Sequence, residues 1–89
     1  MDSAFRALAD PTRRDILRLL RDGPLTSGEI AQHFDAAWPT VSRHLAVLRE
    51  ADLVLSTRLC QQIVYELNTT VFHDVVEHLW SWTRSGKPS

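Results

Sequence analysis

Three groups of side chains have the types and spacing for chemistry. The first is Thr40, Ser42 and Arg43. At roughly 100° per residue on a helix, Val41, Leu45 and Leu48 gather on one side and anchor it. Pro39, Arg43, Ala46 and Glu50 take the opposite side, with Thr40, Ser42 and Val47 at its edges. Hydroxyls and a guanidinium on the N-terminal half of a solvent face are groups that contact phosphates and base edges from a helix in the major groove. Arg43 suits a bidentate contact with guanine, small Ala46 permits close approach, and Val47 suits a thymine methyl. Trp38 stands just ahead and joins the set, and free N–H groups at the helix start favour a phosphate. His44 falls at the edge of the buried side, beside Val41 and Leu48. It is expected to bond a phosphate or a neighbouring carbonyl from a half-buried position, with base readout as the alternative.

The second group is His73, Asp74, Glu77 and His78. His73 with Glu77, and Asp74 with His78, are i, i+4 pairs able to share zinc or nickel. The competing and preferred reading is a solvated helix face with weak charge pairs, so neither metal nor other cofactor is expected. The third is Cys60, a redox handle if exposed and activated, otherwise an inert thiol with only Arg58 near enough to lower its pKa. A single cysteine excludes an intrachain disulfide and an all-cysteine metal cage within one subunit. Enzymatic chemistry has no support. No nucleophile has a visible base and orienting partner, no glycine-rich loop could cradle a phosphate, and H-E-x-x-H is absent.

These residues need elements to position them. A short helix over 3–8 carries Phe5 and Leu8 as its apolar pair. Asp10-Pro11 is a helix start, with Asp10 as N-cap and Pro11 at the first helical position. That helix runs to Arg21 or Asp22, buries Ile16, Leu17, Leu19 and Leu20, leaves Arg13, Arg14, Arg18 and Arg21 wet, and stops at Gly23-Pro24. Thr26-Ser27-Gly28-Glu29 is a capping box opening a short helix that ends near Phe34. After the turn Asp35-Ala36-Ala37, the helix from Pro39 to about Ala51 completes a helix-turn-helix. The period then changes: 53–58 and 62–67 are β-rich and partly alternating, a hairpin in the position of a wing. Asn68-Thr69-Thr70 caps a last helix from about Val71 to Trp82.

Asp10-Pro11-Thr12-Arg13-Arg14 with Ile16-Leu17, and Val41-Ser42-Arg43-His44-Leu45 with Leu48, resemble the two most recognisable stretches of the ArsR family of bacterial repressors. The likeness covers nearly the whole chain. The short length, the run from Leu67 to Val71 and the tryptophan-rich end most resemble its SdpR-type autorepressor branch. The resemblance implies a mostly α, winged helix-turn-helix fold with a β-hairpin wing, dimeric, repressing by operator binding, with Thr40, Ser42, Arg43 and His44 at double-stranded DNA. Metal sensors of the family that place ligands on the last helix spread them over more than two turns, and thiolate sensors carry a cysteine pair where Ser27 to His33 stand, so both patterns are missing.

The wing departs from the family pattern. Cys60 stands where a glycine is expected at the turn, and Gln61 where a second basic residue is expected. A non-glycine residue at positive φ is costly, so a turn of another shape is expected, with Arg58, Gln61 and Gln62 making modest DNA contacts. On the last helix Phe72, Val75, Val76, Leu79 and Trp80 recur at i, i+3, i+4, i+7 and i+8, with Trp82 beyond. With Phe5 and Leu8 they form a surface too large and aromatic to stay wet, so a twofold homodimer through the first and last helices is expected.

Residues 1–84 are read as one DNA-binding and dimerisation domain and 85–89 as a loose tail. At 89 residues the chain is one domain at most, and a chain this small is marginal alone, which a partner subunit would remedy. Net charge is −1, yet seven of the ten basic residues lie within the first 49 positions, so the chain is basic early and acidic late. No apolar run is long enough for a membrane span, and the N-terminus lacks the pattern of a signal peptide. A cytoplasmic location is therefore expected. Two other readings remain open: a metal- or oxidant-responsive repressor of the same fold, and a winged-helix protein-interaction module.

Overall fold

The computed structural model describes residues 2–85. Its elements are α1 (Asp2–Leu8), α2 (Pro11–Leu20), β1 (Leu25–Thr26), α3 (Ser27–Gln32), α4 (Trp38–Glu50), β2 (Val54–Leu59), β3 (Gln62–Leu67) and α5 (Thr69–Ser85). The expected tail falls, from residue 86 on, outside the described residues, and Ser85 closes α5.

The start signals form as read. Asp10 Oδ1 accepts from the Thr12 amide at 2.8 Å and the Arg13 amide at 3.1 Å, with Pro11 in the first turn. Partial loss of water raises the Asp10 carboxyl pKa. The two amide bonds, with the Arg13 guanidinium nearby, outweigh this and hold it below the ordinary carboxylate value. At α3 the Thr26 hydroxyl accepts from the Glu29 amide at 3.1 Å, and the Glu29 carboxylate accepts from the Thr26 amide at 2.8 Å. At the end of α4, Leu53 N–H donates to Leu48 O and Asp52 N–H to Arg49 O, both at 3.0 Å, with Asp52 at φ 61°. That is a Schellman close with aspartate, a residue tolerant of the left-handed region, in place of glycine. It turns the chain directly from α4 into the wing.

Ile16, Leu17 and Leu20 of α2 meet Ile30 of α3 and Val41, Leu45 and Leu48 of α4 in the core. Leu53, Val54 and Tyr65 close it from the hairpin, and Ala4 and Ala7 let α1 approach closely. The hairpin pairs Val54 with Leu67 through Leu59 with Gln62. A third strand was not legible in the sequence. β1 has two residues and pairs antiparallel with β3, Leu25 opposite Tyr65, giving the order β1-β3-β2. Two residues carry no periodicity, so only the tertiary pairing makes them a strand.

The expectation that Arg13, Arg14, Arg18 and Arg21 simply stay wet fails at Arg13, which is half-buried. Its Nε donates to Ala7 O at 2.8 Å and its Nη2 to Arg6 O at 3.2 Å, while Arg14 Nη1 donates to Leu8 O at 2.7 Å. The last carbonyls of α1, which have no partners inside that helix, are thus satisfied by two cations from the first turn of α2. Arg18 pairs with Asp15 at 2.6 Å. Part of the early basic excess, Arg13 and Arg14, therefore ties α1 to α2.

Candidate nucleic-acid interface

Helix α4 is pinned on one side only. Val41 and Leu48 have no exposed surface and Leu45 has 1%. Across the axis Trp38, Pro39, Thr40, Arg43, Arg49 and Glu50 are exposed, while Ser42, His44, Ala46 and Val47 are half-buried. Trp38, Thr40 and Arg43 therefore project together from the N-terminal half, with Ser42 at the edge. No side-chain hydrogen bond caps Ala37. Even so, the helix start offers less to an anion than expected. Pro39 has no N–H, and the Thr40 and Val41 amides donate to Ala37 O at 3.0 and 3.2 Å, so the Trp38 amide is the one left over in that turn.

His44 is half-buried, as expected, and its ring meets a side chain: Nδ1 lies 3.3 Å from Arg13 Nη1. An available signal was overlooked: arginines in the first turn of a helix oppose its dipole, so Arg13 and Arg14 needed another reason to be there.

The wing loop is Cys60-Gln61, and Arg58, Leu59, Cys60, Gln61 and Gln62 are all exposed. The expectation of a differently shaped turn is corrected. Cys60 takes φ 56°, the left-handed conformation a glycine would adopt, because the register Leu59–Gln62 leaves only two residues to reverse the chain. A side chain there costs about 1–2 kcal/mol. Cys60→Gly is expected to raise stability by roughly 0.5–1 kcal/mol after the added freedom of the unfolded chain is subtracted, read as an upward shift of the thermal midpoint. An unchanged or lower midpoint would show that the turn is not strained.

On α5 the apolar residues separate. Val75, expected at a partner surface, is corrected: it is 3% exposed and belongs to the chain's own core. Phe5, Leu8 and Phe72 are half-buried against that core. Val76, Trp80 and Trp82 are each 58% exposed and Leu79 43%. His73 Nε2 lies 3.8 Å from Glu77 Oε1, both exposed. His78 is drawn to the other side, its ring centroid 5.9 Å from Phe5 and 5.1 Å from Trp82. The four polar residues do not converge, and among the described residues no three His, Cys, Asp or Glu side chains are grouped for a metal. Nor is any described helix long and apolar enough to cross a membrane.

Comparison with known proteins agrees with this geometry. Residues 10–56 match the family described as bacterial regulatory protein, arsR family. The chain is 42% identical over 86 residues to the transcriptional repressor SdpR of Bacillus subtilis, covering 97% of this chain and 96% of that one. It is 29% identical over 79 residues to the arsenical resistance operon repressor of Staphylococcus aureus, covering 89% of this chain and 76% of the relative. Among solved structures, an ArsR family transcriptional regulator superposes with a TM-score of 0.90 at 28% identity, covering 99% and 97% of the two chains. HlyU from Vibrio cholerae gives 0.75 at 31% identity, covering 86% and 84%. From the helix-turn-helix of α3 and α4, the hairpin that follows it and these likenesses, the chain belongs to the ArsR family of winged-helix, DNA-binding transcription regulators.

Proposed function

We propose that the chain is a homodimeric repressor that reads a palindromic operator with α4 in the major groove. The observation that carries this is the one-sided anchoring of α4: three side chains at or near zero exposure fix the helix, and Trp38, Thr40 and Arg43 project from it into solvent with Ser42 beside them. Arg43 has no partner among the described residues and is the group that reads guanine. Arg58, Gln61 and Gln62 supply a modest backbone contact from the wing.

The second subunit seats on α1 and α5. Val76, Leu79, Trp80 and Trp82 form an aromatic surface beside Phe5, Leu8 and Phe72. The radius of gyration is 14.6 Å, against about 12 Å for a compact chain of this length. The long α5 therefore reaches beyond what a self-contained domain needs. Twofold pairing would set two α4 helices about one DNA turn apart.

The test is selection of an operator from a random duplex pool, followed by binding over a range of salt. The selected site should be an inverted repeat, and affinity should fall steeply as salt rises, with a slope set by the number of phosphates contacted. Failure to enrich any duplex at low ionic strength would favour an interaction module that never touches DNA.

A further inference from the structure

Arg13 and His44 are 31 residues apart in sequence, yet their side chains meet at 3.3 Å. The Arg13 guanidinium is held from the other side by Ala7 O and Arg6 O. A guanidinium has five donors and no acceptor. In a hydrogen bond between the two, His44 Nδ1 therefore accepts with its lone pair, which is the tautomer with the proton on Nε2. The carboxylate of Asp10 lies in the same electrostatic neighbourhood, where the Arg13 guanidinium favours its charged form. A directional chain thus runs from the end of α1, through a half-buried arginine, to α4 at the residue after Arg43.

We propose that Arg13 and His44 are positioning residues for DNA reading, their bond fixing the rotation of α4 relative to the end of α1. This rests on α4 being the reading helix. Val41, Leu45 and Leu48 set which face of α4 meets the core, and the Arg13 bond adds a directional contact that apolar packing, being non-directional, does not supply. Rotation matters at the exposed side. A turn of about 10° moves a side-chain tip lying roughly 9 Å from the axis by about 1.5 Å, half the length of a hydrogen bond. The Arg13 bond resists that movement from the N-terminal half of α4, where Thr40, Ser42 and Arg43 sit. Because α1 also borders the proposed partner surface, the same link ties the orientation of the reading helix to the dimer.

Two replacements of His44 separate this role from direct contact with DNA. The amide oxygen of asparagine falls where Nδ1 stands and can still accept from Arg13; the amide of glutamine reaches where Nε2 stands. Affinity for the selected operator is measured for the parent, His44→Asn, His44→Gln, Arg13→Gln and the Arg13→Gln/His44→Gln pair, well below the melting transition of every variant. His44→Asn is expected within about threefold of the parent and His44→Gln about tenfold weaker, the scale of one hydrogen bond to a charged group. Arg13→Gln should weaken binding about tenfold alone and less than threefold when added to His44→Gln, because the two residues act through one bond. Three outcomes overturn the proposal: His44→Gln binding like the parent, His44→Asn losing as much as His44→Gln, or the Arg13 and His44 effects multiplying. If Arg13→Gln fails to fold, the asparagine and glutamine pair decides alone. Arg43→Ala distinguishes the failures. If the parent binds an operator that Arg43→Ala loses while the His44 pair behaves as in any of those three outcomes, only the positioning role falls. If binding ignores Arg43 as well, the assignment of α4 as the reading helix falls with it.

Discussion

Arg43→Ala is expected to weaken operator binding at least about 30-fold while leaving the proposed dimer and the melting temperature in place. A bidentate arginine–guanine pair carries roughly 1–3 kcal/mol of discrimination. A twofold complex contains two such pairs, so the loss is roughly 2–6 kcal/mol, if the two are independent. Arg43 is exposed and has no partner among the described residues, so its removal uncovers no buried group and opens no cavity. Loss of binding with an unchanged fold therefore reports on DNA contact alone. The form of the loss is also informative. A guanine-reading Arg43 should relax preference at one position of each half-site, whereas a phosphate-binding Arg43 would weaken all sequences alike and reduce the salt slope. Mobility shift on the selected operator and on a set of single-base variants separates the two. Binding unchanged by Arg43→Ala would mean that α4 does not lie in the groove.

Trp80→Glu should convert the proposed dimer to monomer and take DNA binding with it. Trp80 is 58% exposed in the single chain, so a carboxylate there stays in water and the monomer fold should survive. In a dimer the same carboxylate would be buried against the partner without a counter-charge. Such a charge costs several kcal/mol, and a large aromatic contact is lost as well. The dimer dissociation constant should rise by roughly two to three orders of magnitude. A monomer engages one half-site, so operator affinity falls through lost linkage between the two reading helices. Sedimentation at micromolar concentration, with far-ultraviolet circular dichroism to verify the helices, is the measurement. A dimer that persists would place the partner surface elsewhere than on α5.

How far the sequence speaks differs from residue to residue. Asp10-Pro11 and Thr26 to Glu29 fix their helices because each bond they make is to an amide two or three positions away. Chain connectivity alone brings such partners together. Val41, Leu45 and Leu48 were legible as the buried side of α4 for a similar reason: helix geometry places them on one face whatever surrounds the helix. The separation of Arg43 from that face, and so the candidate reading surface, follows from the same spacing.

Other features depend on what lies across the fold. Val75 and Val76 are adjacent members of one apolar stripe, and nothing local says that the first is buried and the second exposed. The angle at which α5 leaves the core makes that choice. Cys60 keeps the conformation of a glycine because the strands on either side are already in register, and their pairing outweighs the local cost.

The sequence by itself determined where the helices begin, which face of α4 is anchored and which side chains lie opposite that face, because those depend on contacts within a few residues. Only the tertiary structure decided that Leu25-Thr26 is a strand, that Val75 belongs to the core, and that Arg13 reaches both the end of α1 and His44. These are pairings between distant segments, set by how whole elements pack, and short-range periodicity carries no record of them.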